Sequence, residues 1–151
     1  MTLEIACESP DQPDVIALIE ASDVYAAALY PPEGNFGTDV AGLCQPDITF
    51  LVARWTGVVA GCGAIKWFED GTGELKRIFV PEAGRGKGIG RSLMERLVSM
   101  AMEQGLHRLF LETGPLNREA VAMYRRFGFV ECGPFADYPD NPYSLFMTKV
   151  L

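Results

Sequence analysis

Four glycines at strict intervals of two, Gly84, Gly86, Gly88 and Gly90, stand between a run of strand-forming residues and a run with helical periodicity. A glycine-rich turn between strand and helix constrains the chain more than any other feature. Glycine lets the backbone approach a ligand closely. The first amides of a helix point outward as donors with the positive end of the helix dipole behind them, so the junction is an anion site. Arg85, Lys87 and Arg91 add positive charge. Two well-known phosphate motifs fail on spacing. The P-loop needs a glycine, four residues, then Gly-Lys and Ser or Thr, and no register supplies it. The Gly-x-Gly-x-x-Gly dinucleotide pattern fails because the glycines never open to the wider gap. A solvated surface loop is the plainer reading of such a stretch, so the residues around it decide.

The charge pattern marks the same place. The 151 residues carry a formal net charge of -7, which disfavours nonspecific nucleic-acid binding. Residues 1 to 75 hold two Lys or Arg against twelve Asp or Glu, whereas residues 76 to 96 hold six against two. The one basic stretch of an acidic chain is thus its glycine-rich stretch. With 48% hydrophobic residues the chain is long enough for one domain, expected over 1–151, and too short for two independent ones. No apolar run reaches the roughly 18 residues of a membrane helix, and the first residues lack the basic start of a signal peptide. A cytoplasmic protein with no membrane partner is expected. Cys7, Cys44, Cys62 and Cys132 are scattered with no close pair and no histidine cluster, so they read as buried reduced thiols and no metal is expected. The single histidine, His107, follows the Gly105-Leu106 break and reads as a solvated loop residue. That argues against Ser-His-Asp or Cys-His chemistry.

Leu3, Ile5 and Cys7 alternate with polar neighbours and predict a first strand, and Pro13 opens a helix bearing Val15, Ile16, Leu18 and Ile19. From Tyr25 to Gly42 the pattern is irregular: Pro31-Pro32 and Gly34-Asn35 break any helix, leaving a short helical piece near Asp39 to Leu43. Ile48 to Trp55 and Val58 to Phe68 read as a hairpin around Thr56-Gly57, and Glu74 to Val80 as a third consecutive strand. After the glycines, Ile89, Leu93, Leu97 and Ala101 form an apolar stripe on a helix that Gly105 ends. A short strand from Leu109 to Thr113, a helix from Asn117 to Phe127, a strand from Phe129 to Cys132, a proline-rich loop and a strand from Ser144 to Val150 complete the chain. Hairpins mixed with crossovers predict a mixed sheet with helices on both faces, an α/β (α+β) architecture.

A second signal lies one helix and one strand beyond the glycines. Asn117 and Tyr124, seven apart, share one face of the helix. Alone, a tyrosine there is usually a core or rim aromatic. It stands, however, within Asn117-Arg118-Glu119-Ala120-Val121-Ala122-Met123-Tyr124-Arg125-Arg126-Phe127-Gly128-Phe129.

On Arg85-x-x-Gly88-x-Gly90 and on the Asn, Ala, Tyr, Gly-Phe order around Tyr124, the chain resembles the GNAT superfamily of N-acetyltransferases. The resemblance covers the chain from about Ile48 onward. It implies the acyl-CoA N-acyltransferase fold, a central, mostly antiparallel sheet flanked by helices on both faces, with acetyl-CoA as cosubstrate. By resemblance, the backbone of Ile78, Phe79 and Val80 pairs with the pantetheine arm, and the amides of Arg85, Gly86, Lys87, Gly88, Ile89 and Gly90 hold the pyrophosphate. Asn117 contacts the pantetheine region and Tyr124 is the general acid near the sulfur.

Amide formation from a thioester needs a neutral amine and a proton for the leaving thiolate, but no covalent enzyme intermediate. Glu74, eleven residues before Arg85, stands where some family members place a general base. A water chain could do the same, and a strand glutamate is more often a paired or solvated residue. The acceptor is a small-molecule or peptide amine, and the acidic first half, with Tyr25, Tyr30, Glu33 and Asp39, points toward a cationic one. Alternatives are a non-catalytic acyl-CoA sensor on the same fold and a nucleotide-binding module. A homodimer is an open possibility.

Overall fold

The computed structural model describes residues 2–151. Its centre is a seven-stranded sheet in the order β1-β2-β3-β4-β5-β7-β6, from Leu3–Cys7 (β1), Ile48–Trp55 (β2), Val58–Trp67 (β3), Thr72–Phe79 (β4), Arg108–Thr113 (β5), Val130–Cys132 (β6) and Leu145–Val150 (β7). Every neighbouring pair is antiparallel except β4 and β5, which run parallel. The crossover between them carries Ile89–Glu103 (α3), as a parallel connection requires.

Period-two alternation divides the core into two layers. Along β2, Leu51 and Ala53 pack on one face with the α3 stripe Ile89, Leu93, Leu97 and Ala101, and with Tyr124 of Arg118–Arg126 (α4). Phe50 and Val52 pack on the other with Val15, Leu18 and Ile19 of Pro13–Leu29 (α1) and Leu43 of Val40–Leu43 (α2). The Thr56-Gly57 hairpin forms as the sequence predicts, both residues taking positive φ (49° and 84°).

Two expectations are corrected. First, α1 continues through Tyr25 to Leu29 and is stopped by Pro31-Pro32, so the irregular segment is shorter than the pattern implies. Its apolar stripe fades after Ile19 because Ser22 and Asp23 turn toward Arg77 instead of the core. Second, among the cysteines only Cys62 is buried; Cys7 and Cys44 are exposed, and all four are free thiols. Burial pushes the Cys62 thiol up to about 12, and its Sγ–H donates to the Arg77 carbonyl at 3.2 Å. His107 is exposed, as expected, with Nε2 3.2 Å from the Asp70 carbonyl. No helix among the described residues is long and apolar enough to cross a membrane.

Candidate active site

The parallel pair β4 and β5 is in register from Thr72↔Arg108 to Leu75↔Leu111 and then separates. Beyond that point β5 still pairs with β7 through Glu112↔Phe146 and Thr113↔Leu145, while β4 runs on alone on that side. A bulge opposite Cys62 to Ala64 accompanies the divergence, and within it Arg77 takes φ +52°, a strained conformation for a long side chain. The surroundings hold it there. Its guanidinium donates to Thr38 O (2.9 Å), Ser22 Oγ (2.8 Å) and Asp23 Oδ1 (2.6 Å), which binds α1 and the loop before α2 to the bulge.

A cleft of about 780 Å³ occupies the split. Ile78, Phe79 and Val80 line one wall, and Gly84, Arg85, Gly86, Gly88, Ile89, Gly90 and Arg91 line one end. The glycine loop behaves as its sequence suggests. Gly86 and Gly88 take φ of +80° and +75°, and no protein atom lies within 4 Å of where a Cβ on either would stand. Gly88 is the N-cap of α3, whose first internal bond runs from Ser92 N to Gly88 O, so the amides of Ile89, Gly90 and Arg91 have no partner within the helix. Arg85 rests over the Tyr25 ring (5.4 Å), whereas the Lys87 ammonium lies over the Trp55 ring (5.2 Å) and is not part of the lining. The expectation for Lys87 is therefore confined to its backbone.

Asn117, the N-cap of α4, makes no capping bond, and its buried Oδ1 has no hydrogen-bond partner. A buried acceptor left unpaired costs about 1–3 kcal/mol unless a bound molecule supplies a donor. The unpaired β4 edge, the open glycine cradle with free helix amides and the orphaned Asn117 oxygen together fit a ligand with an amide-bearing arm and phosphates, as coenzyme A has.

Tyr124 is buried beside the split, T-shaped against Phe129 at 6.2 Å. Burial raises its hydroxyl well above the usual phenol range, and the Glu112 carboxylate adds to that. The phenol therefore keeps its proton.

Glu74 is 3% exposed and does not line the cleft. It accepts from Lys76 Nζ at 3.1 Å and from the Tyr138 hydroxyl, a sealed set on the sheet face that packs against the loop after β6. The sequence places a candidate base here; in the structure its carboxylate is already engaged by both partners and reaches the cleft only through Lys76, which lines it. Glu112, which the sequence does not single out, does line the cleft. Next to Leu111 on an alternating strand, it projects to the face opposite Tyr124. Ser144 Oγ donates to its Oε2 at 2.7 Å, and Asn141 Nδ2 donates to Ser144 Oγ at 3.0 Å. Burial raises the Glu112 carboxyl above its usual range, Glu74 raises it further, and the Ser144 bond and Lys76 oppose the shift. A carboxylate with its proton affinity raised toward neutrality is suited to take a proton.

The chain's relatives bear on its family and fold. The model of the acetyltransferase (GNAT) family matches residues 15–129. The chain is 50% identical over 148 residues, 97% of each chain, to the IAA acetyltransferase of Azospirillum brasilense. Among solved structures it is similar to a candidate acyl-CoA N-acyltransferase from Klebsiella pneumoniae, at 33% identity and TM-score 0.83 over 99% of this chain and 98% of that one. It also shares the fold, at 19% identity and TM-score 0.76 over the whole of both chains, with the PaiA N-acetyltransferase of Thermoplasma acidophilum in complex with coenzyme A. The chain belongs to the acetyltransferase (GNAT) family and is an N-acetyltransferase that takes its acetyl group from acetyl-CoA.

Proposed function

We propose that the protein acetylates a primary amine within the split between β4 and β5, with Glu112 as the base and Tyr124 as the proton-bearing group on the opposite side. The observation that carries this reading is the placement of Glu112 and Tyr124 on the two faces of the sheet at the point where the strands part.

Acetyl-CoA supplies an activated acyl carbon and a thiol leaving group. The backbone of Ile78, Phe79 and Val80, the amides from Arg85 to Gly90 and the Asn117 oxygen hold it. An alkylammonium with a pKa near ~10.4 is almost wholly protonated at pH 7, and freeing its lone pair costs about 4–5 kcal/mol. Glu112 lowers that barrier by accepting the proton, with its second oxygen fixed by Ser144. On the other side Tyr124 Oη keeps its proton throughout the working pH range and presents it to the sulfur. A phenol so far above a thiol in pKa stabilises the developing negative charge first as a hydrogen-bond donor.

Tyr124→Phe keeps the ring and removes the proton, so kcat should fall roughly 10²-fold or more with little change in acetyl-CoA affinity. Single-turnover rates with a primary amine, read as acetylated product by mass, test this. An unchanged rate for the chemical step would return Tyr124 to a packing role.

A further inference from the structure

Two loops meet over the acceptor end of the cleft. The first, between α1 and α2, contains a single 3-10 turn, Pro32–Gly34, and brings Gly34, Asn35, Phe36 and Gly37 to the lining. The second, between β6 and β7, brings Tyr143. They touch. A Cβ on Gly34 would stand 2.7 Å from Tyr143 Cβ, so only glycine allows this approach, and the Phe36 and Tyr138 rings meet edge to face at 5.8 Å.

Neither loop hangs free. Arg77 holds the first through Thr38 O, and Tyr30, at the end of α1, accepts the Leu116 amide at 2.8 Å. The second is held by Tyr138, which donates to Glu74 and accepts from Lys76, and by Phe135, which stacks on Phe110 at 4.8 Å and meets Phe146 edge to face at 5.8 Å. The Glu74 set is thus the anchor of this loop. At Gly34 and Tyr143 the loops are in direct contact, which leaves no room for a chain to pass between them there.

Two cations at this end are held by carboxylates. Lys76 is paired with Glu74, and Arg77 with Asp23. Glu112 faces the cleft with no salt-bridge partner within the protein, among walls contributed by Tyr30, Phe36 and Tyr143.

Resting on the amine-acetylating reading above, we propose that the seam between Gly34–Phe36 and Tyr138–Tyr143 restricts the acceptor to a compact free primary amine with an apolar or aromatic body. It shuts out a lysine within a polypeptide. The ammonium would face Glu112 and the body would lie against the aromatic walls. Shape and charge both favour this: the rings offer apolar faces, and the Glu112 carboxylate among them offers an ionic contact.

The test compares kcat/KM for 2-phenylethylamine, putrescine and a twelve-residue peptide carrying one lysine and a blocked N-terminus, on the parent, Tyr143→Ala and Phe36→Ala proteins. The parent should prefer 2-phenylethylamine over the peptide by roughly 10²-fold or more, with putrescine between, and either variant should narrow the gap to the peptide at least ~10-fold by opening the seam. Two variants are used because each removes a different half of the contact, and thermal melts establish that they fold. A parent enzyme that acetylates the peptide as well as 2-phenylethylamine overturns the proposal while leaving amine acetylation intact. So does a preference that persists unchanged in both folded variants. Failure to acetylate any of the three, despite binding of acetyl-CoA, contradicts the amine-acetylating reading itself.

Discussion

Glu74 and Glu112 lie on adjacent parallel strands and on the same face of the sheet, yet their surroundings differ. Glu74 is enclosed by Lys76 and Tyr138, and removing one partner of such a buried pair typically costs ~3–5 kcal/mol. Glu112 is open to the cleft, and one hydrogen bond from Ser144 fixes one of its oxygens. Burial is the largest influence on its proton affinity, followed by Ser144 beside β7 and by Glu74 and Lys76 on β4; the phenols of Tyr124, Tyr30 and Tyr138 also face it, raised first by their own burial and further by its charge. The Ser144 bond favours the ionised form. Ser144→Ala removes it, so the Glu112 carboxyl should rise further and the acidic limb of the pH–rate profile should move to higher pH. Ser144→Thr, which keeps a hydroxyl, should restore the limb. A limb in the same place in Ser144→Ala and the parent would separate Ser144 from the base.

At the scale of elements, the α3 N-terminus carries the clearest expectation. A Cβ at Gly88 meets no protein atom within 4 Å, but φ +75° penalises a β-branched residue by about 1–2 kcal/mol, and on the proposed reading its methyl groups would obstruct the phosphates. Calorimetry should show a folded protein that has lost acetyl-CoA affinity by at least ~10-fold; equal affinity would move the phosphates elsewhere.

The same elements explain what could be read from sequence. The α3 stripe and the glycine loop were legible because local rules govern them: helical period, positive φ and free helix amides. Ile89, Leu93, Leu97 and Ala101 are all buried, as their spacing predicts. Most strand and helix limits fall within two residues of expectation for the same reason. Glu112 was not legible. In an alternating strand a polar residue after Leu111 reads as a solvated face, and only the parting of β4 from β5 and the arrival of the β6–β7 loop make it a cleft residue. The enclosure of Glu74 was hidden by the same loop, since Tyr138 lies 64 residues away in sequence. Lys87 shows a third limit: the charge of a loop is visible in sequence, but the ring its ammonium stands over is not.

Across the described residues, two helical layers pack on opposite faces of one sheet, and the sheet parts at the parallel junction of β4 and β5. Tyr124 reaches that opening from the α3 and α4 side, and Glu112 faces the side covered by α1 and the β6–β7 loop. The net charge of -7 is distributed so that Arg85, Arg91 and Arg126 line the cleft together with Glu112. The measurement that tests this arrangement most directly is kcat/KM against pH, from about 5 to 10, for the parent, Glu112→Gln and Glu74→Gln with one primary amine. Glu112→Gln should be strongly impaired at neutral pH and climb about tenfold per pH unit toward the amine's own pKa, where a base is no longer needed. Glu74→Gln should melt at a lower temperature and keep an acidic limb, displaced to lower pH because the charge that raises the Glu112 carboxyl is gone. A Glu112→Gln protein with the parental profile, or a Glu74→Gln protein that loses its acidic limb, would contradict the account.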